Sequence, residues 1–328
     1  MNKLKLLGKC GLMALALSAV TTAPPASAKD MKFAHVYETS EPFHKWAVWA
    51  ADEFEKRTDG RHTMEVFPAS SLGKESDLNE ALGLGTVDVI YTGNQFAGRF
   101  YGPIGIAGAP YMFRDVDHWK AYRDSDLFRE LAQGYRDKTG NKVITLTYYG
   151  QRHVTSNKAI DTPSDMEGLK IRTPNAPLYM MMPKAVDANP TPIAFAEVYL
   201  ALQQGTVDAQ ENPLNTIRAK KFYEVQDYIN LTGHISDSLL TIVSGITWES
   251  LSEKDQKILT NVLEEAAQGA TQDILKSEEE LVAWFEDQGT TVNQDVDRAA
   301  FREAVRPHLT GDNVEWSKKT FERLQAIK

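Results

Sequence analysis

The sequence predicts a bilobed α/β protein, and three observations carry that prediction. Residues 32–37 alternate like a strand, residues 43–58 carry Phe43, Trp46, Ala47, Ala50, Ala51 and Phe54 at helical spacing, and residues 63–67 read as a second strand. Strand, helix, strand is the opening of an α/β layer. The tetrapeptide Gly-Thr-Val-Asp occurs at 85–88 and again at 205–208, preceded by Leu82 and Leu202. Each copy sits between a short helical pattern and a strand, which points to an internal duplication and hence to two similar lobes. From Ser252 onward, apolar residues keep a helical period through Phe285. That run fits either two helices meeting near Gly269 or one long helix bracing both lobes.

The first 28 residues read as a removable leader. Lys3, Lys5 and Lys9 form a positive n-region, Leu6 to Val20 is an apolar stretch broken only by Gly8, Lys9, Gly11 and Ser18, and Ala26-Ser27-Ala28 is a small-x-small cleavage site. The apolar stretch is too short for a membrane span. The remaining 300 residues hold 33 Lys and Arg against 45 Asp and Glu, a net charge of −12. The single cysteine, Cys10, leaves with the leader, so an exported chain would rely on its core and not on disulfides. No later apolar run could cross a bilayer, and the acidic balance argues against nucleic acid.

The remaining elements follow in order. Ser40-Glu41-Pro42 starts the first helix, and Asp59-Gly60 turns out of it. Residues 76–84 read as a helix stopped by Gly85, and residues 87–92 as a strand. Residues 142–148 form a strand, with the first crossing between lobes near Tyr149. Residues 169–172 are a strand ended by Thr173-Pro174-Asn175. Residues 195–204 are helical, Gly205 ends them, and residues 207–210 are a strand. Residues 241–247 read as a strand returning to the first lobe. Ser252 caps the long helical region, and residues 295–328 form two amphipathic helices expected to cap the second lobe. These boundaries assign 29–149 and 238–277 to lobe I, and 150–237 and 278–328 to lobe II.

Enzyme chemistry finds little support. His35, Glu38 and His44 lack the one-face spacing of a helical zinc motif, and no cysteine assists them. There is no Gly-x-Ser-x-Gly elbow and no phosphate loop. The chain presents no cofactor or metal signature.

Several segments together resemble the substrate-binding proteins of tripartite ATP-independent periplasmic (TRAP) transporters, the group of C4-dicarboxylate and sialic-acid binders. They are Thr155-Ser156-Asn157, Gly168-Leu169-Lys170-Ile171-Arg172, Pro190-Thr191-Pro192, residues 197–203, residues 207–213 and residues 221–226. The resemblance implies a type II-like periplasmic-binding-protein fold with a long helix bridging both lobes. It implies an organic-acid ligand, a periplasmic location, and delivery to an ion-gradient-driven membrane permease. It also implies site residues. Arg172, in the family's Leu-x-x-Arg strand, would take the ligand carboxylate. A guanidinium suits that task because it offers a planar fork and stays charged when desolvated. Asn212 would add a hydrogen bond, and Arg152, Phe195 and Asn175 would complete the wall.

The rest of the cleft should choose the ligand. The resemblance places an acid and an arginine of sialic-acid binders where Gly93 and Phe96 stand here. Glu75, His35, Glu38, Gln151, His153 and Asn94 are candidate partners for hydroxyl groups. That equipment fits a sugar acid, a hexuronate or aldonate. The alternatives are a C4-dicarboxylate, sialic acid or a sulfonate, or a role presenting ligand to a membrane kinase. A carrier that must diffuse is expected to be a monomer.

Overall fold

A computed structural model describes residues 28–328, so the leader lies outside the described residues except for Ala28. Nine strands form one continuous sheet. They are β1 (Lys29–Ala34), β2 (His62–Phe67), β3 (Val89–Gly93), β4 (Lys142–Ser156), β5 (Lys170–Thr173), β6 (Asn189–Pro192), β7 (Ala209–Pro213), β8 (Tyr228–Val243) and β9 (Thr291–Asn293). Their order is β2-β1-β3-β8-β4-β7-β5-β6, with β9 on β8.

β4 and β8 are 15 and 16 residues long and pair antiparallel from Lys142 opposite Val243 to Ser156 opposite Tyr228. Such length lets both strands run through both lobes. The register slips between Tyr148 and Gly150 and again between Arg152 and Val154. Gly150 has φ of +119°, and a Cβ there would stand 2.9 Å from Pro213 and from Glu278, so only glycine fits the crossing. The long helix satisfies backbone amides at the crossing. Tyr148 N–H donates to Thr271 Oγ1 (3.1 Å) and Gln151 N–H to Glu278 Oε1 (2.7 Å).

The duplication extends to individual hydrogen bonds. In the first lobe β1 lies between β2 and β3, both parallel to it, and β3 pairs antiparallel with β8. In the second, β5 lies between β6 and β7, both parallel to it, and β7 pairs antiparallel with β4. Gly85 and Gly205 share a left-handed φ, +69° and +65°. Asp88 and Asp208 each donate their N–H to a carbonyl of the central strand of their own lobe, Lys32 at 3.0 Å and Lys170 at 2.8 Å. Their carboxylates accept the N–H of the same lysines, at 2.8 and 3.2 Å. The aspartate of each repeat thus pins the central strand to the strand that enters the cleft.

The helical region is a single helix, Glu253–Asp287, of 35 residues. Gly269 does not break it. A Cβ there would fall 2.2 Å from Trp46 Cζ2, so the glycine lets the indole lie on the helix backbone while Trp46 Nε1 donates to Asp273 (2.9 Å). Ser252 caps the helix, and buried Asp255 holds its first turn through two 2.8 Å bonds from Arg61. Leu259, Val262, Leu263, Ala266 and Ile274 join the main core, whereas Leu281 and Phe285 join a separate second-lobe cluster with Val198, Ile217 and Phe222. One rod therefore has a foot in each core.

Three expectations change. Strand β8 stops at Val243, and Gly245–Ser250 is a helix. Gly245 approaches the Gly140 carbonyl too closely for any side chain and gives its N–H to Asn141 Oδ1 (3.0 Å), which ends the ladder. Strand β1 ends at Ala34, because His35 and Tyr37 turn to bond with the Phe67–Ser70 stretch. The final helix, Lys318–Gln325, packs on residues 112–130 instead of capping the second lobe. Gln325 donates to the Met112 carbonyl (2.8 Å), and Arg323 meets Glu130 (2.8 Å).

An alanine in a helix interior ordinarily stabilises relative to glycine. Here Gly269→Ala should instead destabilise by about 1–3 kcal/mol through overpacking against Trp46. Urea unfolding checks the sign, and a neutral or stabilising result would contradict the packing.

Candidate functional site

Strand ends of both lobes meet at a cavity of about 300 Å³. Its second-lobe wall carries Arg172 from β5, Asn212 from β7, and Phe195 at the start of the helical stretch before Gly205. Arg152 and Tyr149 enter from β4 at the crossing. The first-lobe wall presents Tyr37, Phe96 and Glu75, the last at the start of the Glu75–Gly83 helix. The spacing between the two Gly-Thr-Val-Asp copies puts Glu75 and Phe195 at equivalent positions of the repeat. One duplicated helix start thus offers a carboxylate to the cleft and the other an aromatic ring.

The two arginines differ in their electrostatics. Arg152 is buried and heavily engaged. Nε and Nη2 bond the Glu211 carboxylate, Nη1 bonds Asp237 (3.0 Å), and Nη2 also reaches Asn212 Oδ1 (3.1 Å). Its guanidinium lies 4.8 Å from the Tyr179 ring centroid, and His234 Nε2 stands 3.2 Å from Glu211. Burial opposes the Arg152 charge, but Glu211 overrides that and holds the group cationic. Burial raises Asp237; burial pushes Glu211 up as well, but Arg152 and His234 together bring it below the usual carboxylate range. The cation is matched within the protein.

Arg172 is only 2 % exposed and lacks such a match. Nε and Nη2 both donate to the Ile193 carbonyl, at 3.0 and 2.8 Å, and the Phe195 ring centroid lies 5.9 Å from Cζ. Among the described residues Nη1 has no hydrogen-bond partner, and no carboxylate forms an ion pair with Arg172. Burial pushes its pKa down to about 10, which still leaves it charged at neutral pH. A buried guanidinium with an idle donor is costly to leave unpaired. An anion entering the cleft would relieve that cost.

Glu75 closes the opposite side. Its Oε1 accepts from Gly93 N–H (2.7 Å) and Thr92 Oγ1 (2.9 Å). Burial lifts its pKa to about 7, against the pull of those two bonds. Asn212 donates to Gln210 Oε1 (2.6 Å), which fixes its amide. Asn175 is an exposed lining residue.

The other five sequence candidates do not line this cavity. Successive strand residues face opposite ways. With Arg152 in the cleft, Gln151 and His153 point elsewhere, and His153 Nδ1 accepts from Gly233 N–H (3.0 Å). Burial lowers the His153 pKa well below its usual value. His35 is a core residue. Its Nδ1 accepts from Tyr37 N–H (3.2 Å), its Nε2 lies 3.3 Å from His44, and burial pushes its pKa down to about 3. Asn94 is buried and donates to the Ser238 carbonyl and hydroxyl, both at 3.0 Å. Glu38 pairs with Lys220 (2.7 Å), a contact that ties the two lobes together. Sequence reading missed Tyr179, Glu211 and Asp237. Glu211 sits beside Asn212, but which carboxylates face Arg152 follows from the register of β4 with β7 and β8. Among the described residues no group of three His, Cys, Asp or Glu could hold a metal, and no helix is long and apolar enough to cross a membrane.

Removing the two cations should have unequal effects on stability. Arg152→Met strands Glu211 and Asp237 in the interior and should cost about 3–5 kcal/mol. Arg172→Met leaves one carbonyl without a donor and should cost about 1 kcal/mol or less. Urea unfolding of the two variants checks this, and equal losses would contradict the charge assignment.

The description "bacterial extracellular solute-binding protein, family 7" matches residues 33–312. A solute-binding protein of Roseobacter denitrificans is 35% identical over 90% of this chain and 91% of its own length. The sialic acid-binding periplasmic protein SiaP of Vibrio cholerae is 33% identical over 93% of this chain and 94% of its own. The 2,3-diketo-L-gulonate-binding periplasmic protein YiaO of Escherichia coli is 32% identical over 88% of each. Among solved structures, a TRAP periplasmic solute-binding protein from Polaromonas sp. JS666, bound to D-erythronate, superposes with a TM-score of 0.87 at 32% identity, covering 92% of this chain and 99% of that one. One from Roseobacter denitrificans, with bound L-galactonate, gives 0.85 at 33% identity over the same shares. One from Sulfurospirillum deleyianum, with bound succinate, gives 0.84 at 26% identity, covering 92% and 100%. The chain belongs to family 7 of the bacterial extracellular solute-binding proteins, the DctP family, and is a TRAP-type solute-binding protein, not an enzyme.

Proposed function

We propose that this protein captures a sugar acid, an aldonate or hexuronate, in the periplasm and hands it to an ion-gradient-driven TRAP permease as a monomeric carrier. One observation carries the reading: Arg172 is a buried cation with an unpartnered Nη1 at the wall of the cavity. The ligand carboxylate would take that donor, and Glu75, Tyr37 and Asn175 would receive its hydroxyl groups. Homologues named or solved with D-erythronate, L-galactonate and 2,3-diketo-L-gulonate support the class.

A C4-dicarboxylate is the competing ligand, favoured by the succinate-bound homologue. The charge pattern speaks against it. Arg152 is already matched by Glu211 and Asp237, so a second carboxylate would find no free buried cation and would face Glu75 instead. One carboxylate and several hydroxyls suit the cleft better.

Closure follows from the same geometry. Lys220 to Glu38, and Thr216 to Glu41 (2.7 Å), join the lobes beside the cleft. A ligand touching both walls would add to those contacts and shift the population toward the closed form. In this reading the leader directs export, residues 29–149 and 238–277 form one lobe with the final helix packed on it, and most of the rest forms the other.

A panel of acids read by thermal shift tests the class. Aldonates and uronates of four to six carbons should raise the melting temperature more than succinate or sialic acid. Stabilisation by succinate, a sulfonate or sialic acid alone would overturn the sugar-acid assignment.

A further inference from the structure

Tyr179 sits in a short helical turn, Pro177–Met180, on the chain that leaves β5 just after Arg172. Its side chain is buried at 5% exposure and reaches across the cleft. The ring packs under the Arg152 guanidinium and lies 6.2 Å from the Phe96 ring of the first lobe. The hydroxyl stands 3.5 Å from Asp237 Oδ2.

The position facing that hydroxyl is Gly93, the last residue of β3. Its φ of −67° and ψ of 148° are open to any residue, so backbone conformation does not call for glycine. Space does. A Cβ at 93 would lie 2.8 Å from Tyr179 Oη and 2.9 Å from Gln95 Oε1, with Glu75 Oε1 next at 3.7 Å. The volume in front of the first-lobe strand end is therefore filled from both sides, by Gln95 of the first lobe and by Tyr179 of the second. It is filled beside Glu75, on the wall facing the Arg172 side.

We propose that Tyr179 is a specificity-determining residue that ends the cleft and limits the length of the acid bound at Arg172. An acid anchored at Arg172 extends toward Glu75 and meets the Tyr179 phenol. A chain of about four to six carbons stops there, with its last hydroxyl within reach of Tyr179 and Glu75. A longer acid would have to displace the ring, which Arg152 and Phe96 hold in place on either side. Closure makes the limit stricter, because Tyr179 belongs to one lobe and Gly93 to the other. The inference rests on the reading of Arg172 as the carboxylate anchor.

The test is a calorimetric titration of the mature chain with D-erythronate, L-galactonate and N-acetylneuraminate, on the parent and on Tyr179→Phe, Tyr179→Ala, Gly93→Ala and the Gly93→Ala/Tyr179→Ala double variant. The parent should bind a short acid and reject N-acetylneuraminate. Tyr179→Ala should weaken the short acid about tenfold or more and narrow or reverse the preference against N-acetylneuraminate, whereas Tyr179→Phe should keep the length preference. Gly93→Ala should weaken the short acid in the parent background and weaken it less in the Tyr179→Ala background, where Gln95 Oε1 alone still crowds the new Cβ; the change in preference against N-acetylneuraminate is the readout that a purely structural role for Tyr179 would not move. An unchanged rank order in a folded Tyr179→Ala protein, or equal effects of Gly93→Ala in both backgrounds, overturns the gate and leaves the sugar-acid reading standing. A parent that binds none of the three acids, or binds N-acetylneuraminate best, overturns both.

Discussion

The structure depends on one unmatched charge. Arg172 is buried on a central strand, and among the described residues its side chain's one hydrogen-bond acceptor is the Ile193 carbonyl. A guanidinium cannot shed its proton to escape burial, as a lysine can. The fold therefore holds a buried cation with no carboxylate partner among the described residues. The rest of the second-lobe wall holds it still. Ile193, the residue after β6, presents the carbonyl, and Phe195 offers its ring to the guanidinium. By contrast, Arg152 is locked with Glu211 and Asp237 and serves as a floor whose charge is already spoken for.

That arrangement is useful only if the opposite wall can approach and retreat while the anchor stays in place. β4 and β8 supply the link, because each is one strand with an end in each lobe. Their ladder is interrupted beside the cleft, where Gly150 adopts a backbone conformation closed to other residues. The long helix meets that point with Thr271 and Glu278, which face the same way two turns apart. The ladder's irregularity is thus concentrated beside Arg152, and each end of the long helix packs in a different core. Hinges absorb a change in backbone angles at a few element-terminal positions.

Much of this was legible in the sequence, and the reasons are local. Asp88 and Asp208 follow glycine-stopped helices in both repeats, so the duplication could be read from spacing, and their backbone bonds repeat it. The family motif around Arg172 pointed to a residue that the structure places, buried, at the cavity wall. What the sequence hid was pairing at a distance. Nothing near Arg152 announces Asp237, because that contact is made by the register of β4 on β8. His35 and Asn94 looked available because polar residues at strand ends often face clefts, yet both satisfy buried neighbours instead. Gly269 left one helix or two equally open, because a glycine inside a helical pattern is ambiguous until the indole packed on it is seen. Tyr179 carried no signal, since only the three-dimensional approach to Gly93 reveals it.

The central claim is that a ligand carboxylate completes the Arg172 guanidinium. The most direct measurement compares an aldonate with its alditol, the same carbon chain without the carboxylate, by calorimetric titration of the parent and of Arg172→Met. The account predicts that the parent binds the acid and not the alditol. It predicts that Arg172→Met loses on the order of 100-fold in affinity for the acid, as expected for a desolvated charge-assisted pair. Comparable binding of acid and alditol by the parent, or a variant within a few-fold of parental affinity, would contradict it.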